Sequence, residues 1–110
     1  MKLPNGDAAI VEIEKLRDYC LNSAHPRGGH KARVFYALLG MTAADAEELR
    51  VALIAAAINK NVASGASDKY GNRYIIDFEL MRSGRTAIIR SCWIIRSEEI
   101  APRFVTCFIL

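Results

Sequence analysis

With 110 residues, the chain is long enough to bury a core of its own and short enough to form one domain, 1–110. Its 52% hydrophobic and 25% charged content excludes a disordered or fibrous protein, and no apolar run reaches the length of a bilayer span. The net charge of +3 is carried by ten arginines against five lysines, and arginine's planar fork inclines the chain towards nucleic acid or another polyanion.

In chain order, Met1-Lys2-Leu3-Pro4-Asn5-Gly6 lacks the apolar stretch of a signal peptide, so a cytoplasmic location is the default expectation. Ala8 to Val11 is a short strand or an irregular lead-in. Ile13 to Leu21 predicts a first helix, with Ile13, Leu16, Cys20 and Leu21 on one side and Glu14, Lys15, Arg17 and Asp18 on the other. Asn22 is its stop. His25-Pro26 closes a loop, because proline fixes its own φ and pushes its predecessor out of the α region. Gly28-Gly29 frees the backbone to turn, and Lys31 to Leu39 predicts a second helix ended by Gly40. Thr42 and Asp45 sit at the spacing of a capping box for a third helix running to about Asn59. The second half of that helix, Val51 to Ile58, is apolar nearly all round and is expected to be buried against a sheet.

Lys60 to Asp68, with its Ser, Gly and Asn, predicts a linker. The period then changes: Tyr74, Ile76, Phe78 and Leu80 alternate with Arg73, Ile75, Asp77 and Glu79, a strand with one wet face. Arg82-Ser83-Gly84-Arg85 is a hairpin turn, Thr86 to Arg96 a second strand, and Arg103 to Leu110 a last strand opened by Pro102. Helices followed by an antiparallel meander make an α+β fold, with three helices packed on a sheet of three to four strands. The apolar ending Phe104-Val-Thr-Cys-Phe-Ile-Leu110 offers a pairing edge, by which a homodimer could form.

Chemistry concentrates between His25 and Phe35. This stretch holds both histidines with Arg27, Lys31 and Arg33, and it leads into a helix N-terminus whose N–H groups and dipole favour an anion. The alternative is a solvated turn whose histidines cap or pack. Arg90 stands on an otherwise apolar strand and needs a partner: either an anion to clamp, or a cross-strand carboxylate, Asp77 or Glu79. Trp93 is a core residue or a base-stacking platform. Thr106 is either ordinary strand usage or a hydroxyl aimed into a site. Tyr70 and Arg73 open the first strand and could line a cleft. The three cysteines, Cys20, Cys92 and Cys107, have neither disulfide nor zinc spacing and are expected as small buried thiols. No carboxylate–histidine cluster, phosphate loop or nucleophile elbow is present, so neither a metal nor a cofactor is expected. Metal-free RNA cleavage asks for less. A base takes the 2′-OH proton, cations stabilise the phosphorane, and an acid protonates the leaving oxygen. His25 or His30 with Lys31, Arg33 and Arg90 would supply these parts.

Taken together, His25-Pro-Arg-Gly-Gly-His-Lys-Ala-Arg-Val-Phe35, Tyr70-Gly-Asn-Arg-Tyr74, Arg90-Ser-Cys-Trp93 and Pro102-Arg-Phe-Val-Thr106 resemble a bacterial family labelled domain of unknown function 6883. Similar blocks occur in C-terminal toxin domains of polymorphic and contact-dependent systems. The resemblance implies the barnase–EndoU–colicin–RelE type of ribonuclease fold, RNA as substrate, and a small antitoxin or immunity partner. It points at His25, Lys31, Arg90 and Thr106 as catalytic residues. Arg27, His30, Arg33, Tyr70, Arg73, Trp93 and Arg103 remain for substrate binding. The competing reading is a non-enzymatic module that uses the same basic surface to bind a protein or RNA. The two part on whether His25, Lys31, Arg90 and Thr106 converge in one cleft.

Overall fold

The period-two pattern from Arg73 to Leu80 forms the middle of an antiparallel sheet. In the computed structural model, which describes residues 1–110, strands β1 (Ala63–Asp68), β2 (Gly71–Arg82), β3 (Arg85–Arg96) and β4 (Arg103–Ile109) lie side by side in chain order. Ahead of them come α1 (Ile13–Lys15), which runs into a π-helical segment Leu16–Cys20, then α2 (Gly29–Leu39) and α3 (Ala46–Asn59). This is the expected α+β order. No helix is long and apolar enough to cross a membrane.

The hairpin forms where its turn chemistry placed it. Ser83 (φ 52°) and Gly84 (φ 77°) are both left-handed, as a two-residue turn between right-twisted strands requires, and Arg82 pairs with Arg85. Alternation along β2 and β3 then sends Ile76, Phe78, Ile89 and Trp93 inward, where Phe104 of β4 joins them against Leu16, Phe35, Leu39, Leu49 and Leu53. Each such side chain contributes about 1.5–3 kcal/mol on burial. The opposite face of the sheet carries Asp77 and Arg90 in register.

Two expectations are corrected. The stretch expected as a linker contains β1: Ala63 to Asp68 pair with β2, with an irregular register between Ser64 and Ser67. Its small polar residues give no strand signal, and all six are exposed. It is the neighbouring β2 backbone, not side-chain burial, that makes it a strand. Secondly, α3 buries one face only, through Ala46, Leu49, Leu53, Ala56 and Ala57. Val51 stays 58% and Ile58 46% exposed, because the sheet reaches one side of the helix. β4 is an edge strand as expected, but its first residues are covered. Ile10 bridges to Arg103, and the Phe104 N–H donates to the Ile10 carbonyl at 2.9 Å.

Candidate functional site

Between Asp18 and Asp45 the chain has no acidic residue, and the loop and helix of that stretch fold against the edge of β4. His25 organises the loop. Its Nδ1 accepts from the backbone N–H groups of Arg27 and Gly28, each at 3.0 Å, and its carbonyl accepts from Gly29 N–H at 2.9 Å. Its ring meets Tyr19 edge-on, with centroids 4.6 Å apart. Three amides that would have greeted an anion are therefore taken by His25 itself. An imidazole accepting at Nδ1 carries its proton on Nε2 when neutral. The geometry makes His25 the former of the loop, and His25 does not line the cleft that holds Lys31 and Thr106.

Gly28 and Gly29 answer a packing need. A Cβ on Gly29 would stand 2.6 Å from the Ser23 carbonyl oxygen, and one on Gly28 would stand 3.0 Å from that of Tyr19. The free turning expected of the pair is not used: Gly28 has an ordinary φ of −90°.

Once the loop is closed, α2 starts at Gly29 and projects Lys31 towards β4. The Lys31 ammonium lies 4.5 Å from the centre of the Phe108 ring. Lys31 and Thr106 line one open cleft of about 360 Å³ with Lys15, Tyr19 and Val105. Nothing acidic lines it. Lys15 and Tyr19 were not legible as site residues. They come from the α1 turn and the π-helical segment, and the Lys15 ammonium donates to the Phe104 carbonyl at 3.0 Å.

Behind the cleft lie thiols. Cys20 Sγ is 3.8 Å from Thr106 Oγ1. Donation from the Cys107 thiol, with smaller help from Thr106 and the Lys31 charge, outweighs burial and lowers the Cys20 pKa to about 7. Cys107 is pushed well up, since it is the donor of the pair and is deeply buried. Burial also raises Cys92. The expectation of small buried thiols holds for Cys20 and Cys107, while Cys92 is half-buried.

The remaining expected site residues do not join Lys31 and Thr106. Arg90 takes the cross-strand alternative: Nε and Nη2 fork onto Asp77 at 2.9 Å each, and the pair lines a separate cleft of about 320 Å³ with Asn61, Val62, Ala63 and Ile75. Trp93 is fully buried and donates from Nε1 to Ser91 Oγ at 2.9 Å, so it offers no platform to a base. Arg103 forks onto Glu99 at 2.9 and 3.0 Å. Arg73 pairs with Asp68 at 2.9 Å, and exposed Tyr70 lies under Lys69 at a distant cleft. Arg33 donates to the Ser23 carbonyl at 3.3 Å and lines a fourth cleft with Tyr36 and Met41. Arg27 and His30 are exposed on the loop and first turn.

Seven of the ten arginines are ion-paired. Of the cations without an ion pair, Arg27, Lys31 and Arg33 fall together in the stretch that lacks acids, with Lys15 beside Lys31 in the cleft. No group of three or more His, Cys, Asp or Glu side chains is placed to hold a metal ion.

The family model described as Domain of unknown function (DUF6883) matches residues 2–110. No curated protein matches the chain. Among solved structures, a chain of the contact-dependent growth inhibition toxin – immunity protein complex from Klebsiella pneumoniae 342 shares the fold. The TM-score is 0.70 over 92% of this chain and 99% of that one, at 13% identity.

Proposed function

The chain belongs to the DUF6883 family, and from that premise we propose that it is a toxin-type domain that cleaves RNA without a metal. One observation carries the reading. Lys31 and Thr106, from opposite halves of the sequence, meet in one cleft free of carboxylates, on a protein that otherwise neutralises most of its arginines. The fold shared with a chain of a toxin–immunity complex supports it.

In this mechanism the scissile phosphate sits between the Lys31 ammonium and the Thr106 hydroxyl, with Lys15 and Tyr19 on the rim. The 2′-oxygen attacks phosphorus, and its proton passes to water in the open cleft. Lys31 stabilises the phosphorane, the larger share of the rate enhancement, and then gives a proton to the leaving 5′-oxygen. The products are a 2′,3′-cyclic phosphate and a free 5′-hydroxyl. His25 acts as a positioning residue, since its two amide bonds fix the loop from which α2 projects Lys31. Arg90 binds substrate outside the reacting centre. A small cognate protein covers the cationic cleft when the domain is held inactive.

The second reading is a binding module of the immunity or antitoxin kind. It is favoured by the arginine pairing and by the positions of His25 and Arg90, which lie outside the cleft of Lys31 and Thr106. Incubating the purified protein with total RNA and with tRNA in EDTA separates the two. Cyclic phosphate ends that disappear in Lys31→Ala support the nuclease. Intact RNA beside a folded wild-type protein supports the binding module.

A further inference from the structure

The side of α3 turned away from the sheet is apolar and has no neighbour. Val51 and Ile58 are the two large side chains left exposed on this helix. Between them Ala55 is exposed and Ile54 half-buried. At spacings of three, four and seven residues these four share one face over two turns. Single exposed apolar side chains are ordinary, but a contiguous patch marks a contact. Beside the patch a groove of about 280 Å³ runs between α3 and β2, with Ala52, Phe78 and Leu80 in its walls. The alanines add little bulk there, so a second helix can approach to the near end of the packing range, about 8 Å between axes.

The two ends of the patch carry opposite charges. At its N-terminal end the Glu47 and Glu48 side chains stay 67% and 49% exposed beside their pairs with Arg50 and Arg82. At its C-terminal end Lys60 is exposed and makes no ion pair, and the Lys2 ammonium donates to the Asn59 carbonyl. A face that is acidic at one end and basic at the other is complementary to itself when turned end for end. A twofold axis between Ile54 and Ala55 sets Val51 of one copy against the partner's Ile58, with the alanines at the crossing. At about 1.5 Å of rise per residue, Glu47 stands about 11 Å and Lys60 about 8 Å from that axis, an offset of about 3 Å that a lysine side chain spans. Glu47 thus meets the partner's Lys60 at both ends of the contact. A parallel alignment would set acid against acid.

We infer that this face is the interface of a homodimer, built from two antiparallel α3 helices in isologous contact. The occupant of the face is a second copy of the chain, because only a surface with the same charges in reverse order matches both ends at once. The contact involves a few apolar side chains per copy, at the low end of interface sizes, and a Kd of about 1–100 µM follows. α3 packs on β2, whereas α2 packs on β3 and β4. The Lys31–Thr106 cleft of each copy therefore stays open in the dimer, and the inference does not rest on RNA cleavage.

Sedimentation equilibrium of the full chain, from below to well above that concentration range, tests it. The expected mass climbs from the monomer value of 12.2 kDa towards twice that value. Val51→Lys and Ile58→Glu, each shown folded by circular dichroism, remain monomeric. Glu47→Lys and Lys60→Glu each weaken association about tenfold or more, because each sets like charges together at both ends of the contact. An equimolar mixture of these two variants restores the wild-type mass, since the mixed dimer regains an opposite pair at each end. A wild-type chain that stays monomeric throughout overturns the interface. A dimer that survives Ile58→Glu also overturns it, as does a mixture of the two charge variants that associates no better than either alone. None of these results bears on cleavage, so the nuclease reading stands or falls by its own assay.

Discussion

Replacing His25 tests the role the geometry gives it, because two substitutions separate loop formation from proton transfer. His25→Ala removes the acceptor of two backbone N–H groups and the edge contact with Tyr19. The Arg27 amide is exposed and regains water. Gly28 is buried, and leaving its N–H without a partner costs about 1–2 kcal/mol. Losing the ring contact adds about 1 kcal/mol. The sum, about 2–3 kcal/mol, corresponds to a fall in melting temperature of roughly 8–12 °C for a domain of this size. His25→Asn places a side-chain oxygen where Nδ1 was, the arrangement in which asparagine bonds amides two or three residues on. It should recover all but the ring contact. Thermal unfolding followed by circular dichroism reads the stabilities, and cleavage of tRNA in EDTA reads the chemistry. If His25 only positions the loop, His25→Asn cleaves within a few-fold of wild type and His25→Ala regains activity on cooling. A His25→Asn protein that melts like wild type yet has lost about 10²–10⁴ of its rate, the usual worth of a general acid or base, would refute the assignment and return the imidazole to the reaction.

Lys31→Arg keeps the positive charge but offers a group that does not release its proton. RNA affinity by filter binding should stay within a few-fold while cleavage drops by about 10² or more, and unchanged cleavage would remove Lys31 from the proton transfer. For the thiol pair, Cys20 is held at about 7 in the fold against roughly 8.5 in the unfolded chain, so its thiolate stabilises the fold fully above the unfolded value and that stabilisation is lost as pH falls through the folded one. Cys107, pushed up, acts in the opposite sense above the unfolded value. Urea unfolding should show stability rising from pH 7 to about 8.5 and falling beyond, and a Cys20→Ser variant should lose the rise. Arg90 holds the Asp77 carboxyl below its usual range. NMR titration of Arg90→Ala should therefore show that carboxyl moving up, since only the raising effect of burial remains. The accompanying change in unfolding free energy stays at about 0–1 kcal/mol, because the pair is solvated.

The parts of the fold written in local chemistry could be read from the sequence. Thr42 and Asp45 form the capping box their spacing implies, Gly40 ends α2 at φ 65°, and the alternation from Arg73 to Leu80 puts Ile76 and Phe78 in the core. β1 was not legible, because an exposed edge strand of Ala, Ser and Gly has no burial pattern to read. The all-round apolar stretch of α3 misled for a related reason. Periodicity tells which residues can be buried and not how many neighbours there are to bury them.

The site divides along the same line. Lys31 and Thr106 meet across a sequence separation that no local pattern spans, and the family resemblance, not the spacing, named them together. Arg90 was legible only as a choice between an anion and a carboxylate, and register decides it for Asp77. Lys15 was misplaced outright. In the first helix it sat among Glu14, Arg17 and Asp18 on the presumed wet side, yet it is half-buried with its ammonium on the Phe104 carbonyl. Two non-local features make the difference. The Leu21 N–H reaches back to the Leu16 carbonyl at 2.9 Å, a π-type bond that widens the helix by one residue and keeps Leu16, Cys20 and Leu21 all inward. The edge of β4 then stands where an isolated amphipathic helix would meet solvent. A lysine in that position satisfies a strand carbonyl with one end of its chemistry and faces the cleft with its charge. Cationic residues on the seam between a helix and an edge strand are thus where a periodicity reading of this fold errs, and Lys15 and Lys31 both lie on it.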